Sequence, residues 1–367
     1  MARDLKAKGK DVISLSIGEP DFDTPEFIRD AAKKALDDGY THYTPVPGLM
    51  ELRQAICKKL KRDNELTYDP SQIVVSNGAK QTIYNICQAL INPGDEVIIF
   101  APYWVSYEAI VKLAGGVPVV LGAGVETDFK VAASDLATAI TPKTKFVLFS
   151  SPSNPTGSLY TQSELKDIAD VLADQKHVFV VSDEIYEHIV FSGKHYSIAQ
   201  NANIYDRTIV VNGMSKGYAM TGWRLGYMAG PKFLAAACNK IQGQVTSGAT
   251  SFGQKAAAVA LERDPKEVTQ DMMQTFLKRR DMVLNELNKI EGMKLSIPQG
   301  AFYIFPDCKP ISDSNDLAEA LLLGANVATV AGAAFGAPNC IRISYAASEE
   351  VLMEACSRLQ SFFSSLS

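Results

Sequence analysis

The chemistry starts with Lys216. It stands in Gly213-Met214-Ser215-Lys216-Gly217, just past the β-branched run 208–212. A lysine at the end of a buried strand is desolvated, which lowers its pKa and lets it form a Schiff base with a carbonyl. The alternative is a solvated lysine at a helix start, and on this turn alone that reading is preferred. The same turn matches Gly-x-Ser-x-Gly, the nucleophile elbow of serine hydrolases. In those enzymes the histidine follows the serine. Here His42, His177, His188 and His195 all precede Ser215, so the hydrolase reading fails on chain order.

Other polar residues stand at the ends of similar runs. Asp183-Glu184-Ile185-Tyr186 follows 177–182. A carboxylate there is costly to bury unless paired, and the alternative is a helix N-cap. Asn154 lies in Ser151-Pro152-Ser153-Asn154-Pro155-Thr156-Gly157, where two prolines fix the turn and would aim the amide. The alternative is a plain loop. Asn77-Gly78-Ala79-Lys80 opens a helix whose first N–H groups suit a phosphate, unless the glycine serves geometry alone. Trp104 could stack on a planar ring or belong to the core, and Arg224 is a cation suited to a phosphate. Taken together these groups describe pyridoxal phosphate chemistry. That chemistry needs a lysine, a carboxylate to keep the pyridinium protonated, donors for the ring hydroxyl, a stacking ring and a phosphate cradle.

The elements that must position these residues form an alternating pattern. Runs 73–76, 96–101, 117–121, 145–150, 177–182 and 208–212 are nearly continuous in apolar residues, as parallel strands covered on both faces are. Helical patterns at 79–90, 134–140 and after Thr161 lie between them. The pattern predicts an α/β fold with a mainly parallel central sheet, whose ligands bind at the carboxyl ends of the strands. After Pro231 it changes: helices are expected at 232–241, 252–262 and 266–290, then strands at 294–297, 301–305, 327–330 and 340–345, and a last helix from Glu349. This predicts a smaller α+β domain joined by the N-terminal stretch 11–15. The expected division is 30–275 for the large domain and 1–29 with 276–367 for the small one.

Composition sets the outer bounds. The 367 residues carry 36 Lys+Arg against 41 Asp+Glu, a net charge of −5, which offers no electrostatic footprint for nucleic acid or an anionic membrane. The six cysteines have no CxxC spacing and the four histidines no HExxH pattern, which argues against zinc ribbons, redox dithiols and metal sites. No apolar run approaches the ~20 residues of a membrane span, and the start lacks a signal-peptide core, so a cytoplasmic location is expected.

At this point the sequence resembles the class I, aspartate aminotransferase-like family of fold-type I pyridoxal phosphate enzymes. The resemblance runs along essentially the whole chain. It is carried by GEPDF (18–22), YTPVPG (43–48), SNGAKQ (76–81), PYWVSY (102–107), SPSNPTG (151–157), SDEIYE (182–187), NGMSKGYAMTGWRLG (212–226), QGAFYIF (299–305) and CIRISYA (340–346). It implies that Lys216 is the Schiff-base lysine and proton carrier, Asp183 the pyridinium partner, and Asn154 and Tyr186 the donors to the ring hydroxyl. Trp104 would stack on the ring. Gly78, Ala79 and Arg224 would hold the phosphate, with Lys80 and Ser215 beside them and Tyr43 reaching in from a second subunit. Arg342 would clamp the substrate carboxylate, helped by the Gly18 N–H and flanked by Trp104 and Asn154. Lys80 would read the distal carboxylate of aspartate or glutamate.

The implied enzyme is a homodimeric aminotransferase moving the amino group of L-aspartate to 2-oxoglutarate through pyridoxamine phosphate. The alternatives are transfer from another amino acid, transfer to prephenate, or a β-lyase reaction. Three departures from the family pattern stand out. Gly213 occupies the place of a phosphate-binding serine, leaving Ser215 or backbone groups to that contact. The chain begins close to KGKDVISL, where relatives carry a further short segment. The stretch 307–313 is shorter than usual.

Overall fold

The computed structural model describes residues 1–308 and 313–365, so the expectation for 307–313 falls largely outside the described residues. The sheet that carries the site has seven strands: β2 (Ile73–Asn77), β3 (Glu96–Ala101), β4 (Val117–Gly122), β5 (Thr144–Ser150), β6 (Phe179–Asp183), β7 (Thr208–Gly213) and β8 (Leu225–Ala229). A short β1 (Ile13–Ser14) precedes them. Their order is β2-β8-β7-β6-β5-β3-β4. The neighbours from β4 through β7 pair in parallel, while β8 runs antiparallel to both β7 and β2.

β8 lies outside the strand runs expected from the sequence. Its glycine is a poor strand residue, yet the position demands it: a Cβ on Gly226 would sit 2.3 Å from the Ala79 amide nitrogen. β4 also departs from expectation. It is the sheet edge and its side chains are half exposed, so it is not covered on both faces.

Helices cover the sheet. Near the N-terminus lie α1 (Ala2–Ala7), α2 (Glu26–Asp37), α3 (Met50–Asn64), α4 (Ala79–Leu90) and α5 (Ser106–Leu113). Then come α6 (Ala133–Ala139), α7 (Gln162–Ala173), α8 (Lys232–Val245) and α9 (Ser251–Glu262). The start of α7 shows why the local sequence folds as it does. Thr161 and Glu164 form a reciprocal capping box, and Leu165, Ile168, Ala169 and Leu172 bury one stripe. One core lies under α4, α5 and α8, and another under α6 and α7, on opposite faces of the sheet.

α10 (Pro265–Leu287) is the single long helix expected over 266–290, capped by Asp264 with proline at its first position. It leads to α11 (Ser314–Gly324), α12 (Glu349–Ser364) and short strands β9 (Tyr303–Ile304), β10 (Val327–Ala328), β11 (Val330–Ala331) and β12 (Ile341–Ser344). β12 lies between β11 and β9, and β1 pairs in parallel with β10. The expected strand at 294–297 is reduced to an isolated bridge between Lys294 and Asp307. Phe276, Phe302, Tyr303, Tyr345 and Leu352 lie in a separate core there. Five cysteines are buried, Cys57 is half-buried, and all six are free. Among the described residues, no helix is long and apolar enough to cross a membrane.

Candidate active site

The carboxyl ends of the parallel strands, joined by residues from both termini, line a cavity of about 450 Å³. Its walls include Gly18, Ala79, Lys80, Trp104, Asn154, Asp183, Tyr186, Ser215, Lys216, Arg224 and Arg342.

Lys216 sits in a turn after β7 rather than at a helix start, and its Nζ donates to the Gly18 carbonyl at 2.6 Å. Burial pushes its pKa down to about 8; Glu19 opposes that shift, while Arg342 and Arg224 add to it. The ammonium lies 5.8 Å from the ring centres of Tyr186 and Phe302.

Asp183 is the last residue of β6 and is 4% exposed. A turn follows it, so the helix N-cap alternative is not what this chain builds. Its Oδ2 accepts from the Tyr107 hydroxyl at 2.6 Å and its Oδ1 from the Ile185 N–H at 3.2 Å. Burial pushes the carboxyl up to about 6 against those hydrogen bonds. Tyr107, on α5, was not recognised from the sequence. The signal available was its place one helical turn after Trp104 in PYWVSY, but its partner is 76 residues away.

Asn154 is aimed by its rigid loop, whose Gly157 carbonyl accepts from the Gln299 and Gly300 N–H groups at 2.9 Å. The Asn154 Oδ1 accepts from Nη1 of Arg342 at 2.9 Å, while Nη2 donates to the Ser16 carbonyl at 2.7 Å. Arg342, on β12, is 7% exposed, and its Nε is buried without a partner. The Tyr186 hydroxyl meets that of Tyr303 at 2.8 Å.

The opposite pole is built for an anion. Gly78 has φ +82° and precedes α4, whose first N–H groups carry the positive end of the helix dipole. The Arg224 guanidinium fills the place of a side chain: a Cβ on Gly78 would lie 2.5 Å from Nη2. Gly213 cannot carry a side chain without movement, because a Cβ there would lie 2.7 Å from the Leu225 carbonyl oxygen. Ser215 lines the cavity instead. Lys80 extends over the Trp104 ring at 5.0 Å. Trp104 is half-buried rather than a core residue. Tyr43 does not join this cavity; it is 98% exposed on the surface.

The fit to pyridoxal phosphate rests on this donor set. A lysine of lowered pKa, an incompletely compensated buried carboxylate and a glycine–arginine anion cradle share one cavity with the Asn154 amide and the Tyr186 hydroxyl. Behind the cavity, Glu184, Glu187 and His195 bring ligand atoms within 4.8 Å of one another. Their oxygens are already engaged. Glu184 accepts from Ser182 at 2.9 Å and Ser197 at 2.6 Å, and Glu187 accepts from Lys59, Asn64 and Asn212.

The whole chain is similar to known aminotransferases. The family model described as aminotransferase class I and II matches residues 10–359. The chain is 48% identical over 379 residues to the aspartate/prephenate aminotransferase of Cereibacter sphaeroides, covering 100% of this chain and 94% of that one. It is 47% identical over 369 residues to the aspartate aminotransferase of a Bacillus species, covering 98% and 94%. Among solved structures, the aspartate aminotransferase from Rhizobium meliloti superposes with a TM-score of 0.96 at 42% identity, covering 99% and 94%. The Thermus thermophilus aspartate aminotransferase with maleate superposes with a TM-score of 0.93 at 40% identity, covering 98% and 94%.

Proposed function

The chain belongs to the class I and II aminotransferase family, whose aspartate aminotransferase-type members use pyridoxal phosphate, and from that premise we propose that it transfers the amino group of L-aspartate to 2-oxoglutarate. The observation that carries the reading is the convergence of Lys216, Asp183, Arg224 and Arg342 on one cavity. When bound, pyridoxal phosphate would supply an electron sink and carry the amino group between two half-reactions, the basis of ping-pong kinetics.

The protein's own residues do the rest. Gly78, Ala79, Ser215 and Arg224 would hold the phosphate, with Lys80 beside them, and Trp104 would stack on the ring. Asp183 would pair with the ring nitrogen and keep it protonated; Asn154 and Tyr186 would serve the ring hydroxyl. Arg342 takes the substrate α-carboxylate in a two-pronged contact, and the Gly18 N–H adds to it. Lys216, whose pKa burial lowers to about 8, would carry the proton to and from the substrate carbon. The expected assembly is a cytoplasmic homodimer, in which exposed Tyr43 would reach the phosphate of the second site.

Lys80 supports the acidic substrate. It is a cation on the cavity wall at the start of α4, held over Trp104. Two relatives carry aspartate in their names. The name of the first also includes prephenate, a 2-oxo acid with a second carboxylate that the same lysine would read.

The test is product analysis with L-aspartate and 2-oxoglutarate. Oxaloacetate and glutamate in equal amounts, with no ammonia or pyruvate released by the enzyme itself, are the expected products. Enzymic ammonia release would move the reading to a lyase. Lys80→Ala raises KM for aspartate by about 10-fold or more, the scale of one lost charge contact, and barely alters that for a neutral amino acid. Equal effects would remove Lys80 from substrate recognition.

A further inference from the structure

We infer that Tyr303 is a positioning residue that couples the donor to the ring hydroxyl, Tyr186, to the clamp for the substrate carboxylate, Arg342. The inference rests on the functional reading above and deepens it. Tyr303 is fully buried on β9 and does not line the cavity, so it acts through its neighbours. Its hydroxyl meets the Tyr186 hydroxyl at 2.8 Å. Its ring centre lies 4.5 Å from the Arg342 guanidinium carbon. A Cβ on Gly18 would come within 2.9 Å of the same Tyr303 hydroxyl. One side chain therefore touches three of the groups assigned to cofactor and substrate.

Proton accounting gives the contact a direction. A phenol has one proton to donate. Once Tyr186 gives its proton to the ring oxygen, the proton between the two phenols must come from Tyr303. That donation polarises the Tyr186 O–H and makes it a better donor in turn. Burial pushes both phenols above their ordinary pKa, so both remain neutral donors.

The ring has a second task. Arg342 leaves its Nε unbonded and lies near the rings of Tyr303 and Phe335, at 4.5 and 5.1 Å. Aromatic contacts of this kind hold the guanidinium plane, so that its remaining N–H groups meet a carboxylate in a fixed fork.

The two tasks separate by substitution. Tyr303→Phe keeps the ring and removes the hydroxyl; Tyr303→Leu removes both. The readouts are a pH titration of the visible absorption band of the pyridoxal phosphate-loaded enzyme, and KM for L-aspartate. Tyr303→Phe raises the apparent pKa of the band by about 0.3 unit, because a weaker Tyr186 donor raises the proton affinity at the ring oxygen. Its KM stays within about twofold of the parent, on the same contact scale. Tyr303→Leu gives the same pKa rise and a KM higher by about 10-fold. In a Tyr186→Phe background, Tyr303→Phe adds no further shift.

Three results would overturn the coupling: no shift in Tyr303→Phe, an equal shift with and without the Tyr186 hydroxyl, or an unchanged KM in Tyr303→Leu. If Tyr303→Leu fails to fold, the near-isosteric Phe variants decide alone. A parent protein that forms no visible band overturns the functional reading beneath the inference, and is distinguished by that sign.

Discussion

Asp183 and Glu187 lie four residues apart on one buried segment, 4% and 8% exposed, and their surroundings differ in kind. Glu187 faces away from the cavity into a closed set of cationic and amide donors. Lys59 pairs with it, Asn64 donates at 2.9 Å and Asn212 at 2.7 Å, and Lys59 also bonds Asn64 at 2.8 Å. Lys59 and the two histidines beside it outweigh desolvation and hold Glu187 well below the usual carboxylate range. Asp183 faces the cavity with one phenol and one N–H as its donors, and desolvation wins, pushing it up to about 6. The closed set ties α3, the 183–189 turn and the end of β7 together. The open one leaves a carboxylate in want of a cation, which is what a protonated pyridine ring provides.

Breaking the closed side has the largest expected effect. Glu187→Gln leaves the buried Lys59 ammonium with Asp63, at 4.0 Å, as its remaining counter-charge and lowers stability by about 3–5 kcal/mol. The urea midpoint of the apoprotein at pH 7.5 measures it, and a change under about 1 kcal/mol would mean that the pair is solvated.

Asp183→Asn acts on the open side. It lowers kcat by about 10²–10³-fold, the scale of one lost preorganised electrostatic contact, in a steady-state assay with saturating cofactor. An unchanged kcat would remove Asp183 from the ring nitrogen.

The same Asp183→Asn change stabilises the apoprotein at pH 7.5 by about 2 kcal/mol, because an uncompensated charge is removed. Destabilisation instead would mean that the carboxylate is already satisfied without cofactor.

The smallest effect is in the pH dependence. Asp183 has a folded-state pKa above its unfolded value of 3.8, so between pH 3.8 and about 6 the folded apoprotein binds the extra proton. Stability falls as pH rises through that window, and Asp183→Asn removes the slope. Glu187 has the opposite sign. Its contribution is present above its unfolded value of 4.5 and is lost as pH falls through the acid range. Urea midpoints measured from pH 3 to 7 in both variants distinguish the two slopes.

The comparison also marks how far the sequence could be read. Asp183, Lys216, Asn154 and Ala79 stand at the ends of apolar runs, and local pattern alone brings such ends to one edge of a parallel sheet. The structure places all four on the cavity wall. Arg342 and Gly18 come from opposite ends of the chain; the Arg342 contact with Ser16 spans 326 residues. No local pattern carries that, so those positions came from the family motifs. Tyr107 and Tyr303 were passed over because they act through partners 76 and 117 residues away. Lys59 and Glu187, 128 residues apart, were invisible for the same reason. Helices α2, α3, α5 and α11 and strand β8 were also missed, β8 because Gly226 weakens a short pattern whose packing against Ala79 requires it.

The most direct test is borohydride reduction of the pyridoxal phosphate-loaded protein, followed by mass mapping of its peptides, with and without prior L-aspartate. The expected result is a single pyridoxyl label on the peptide containing Lys216, which disappears when L-aspartate has first taken the cofactor to its amine form. A label on another lysine would contradict the assignment of the site. A label on Lys216 that L-aspartate leaves untouched would contradict the assignment of the substrate.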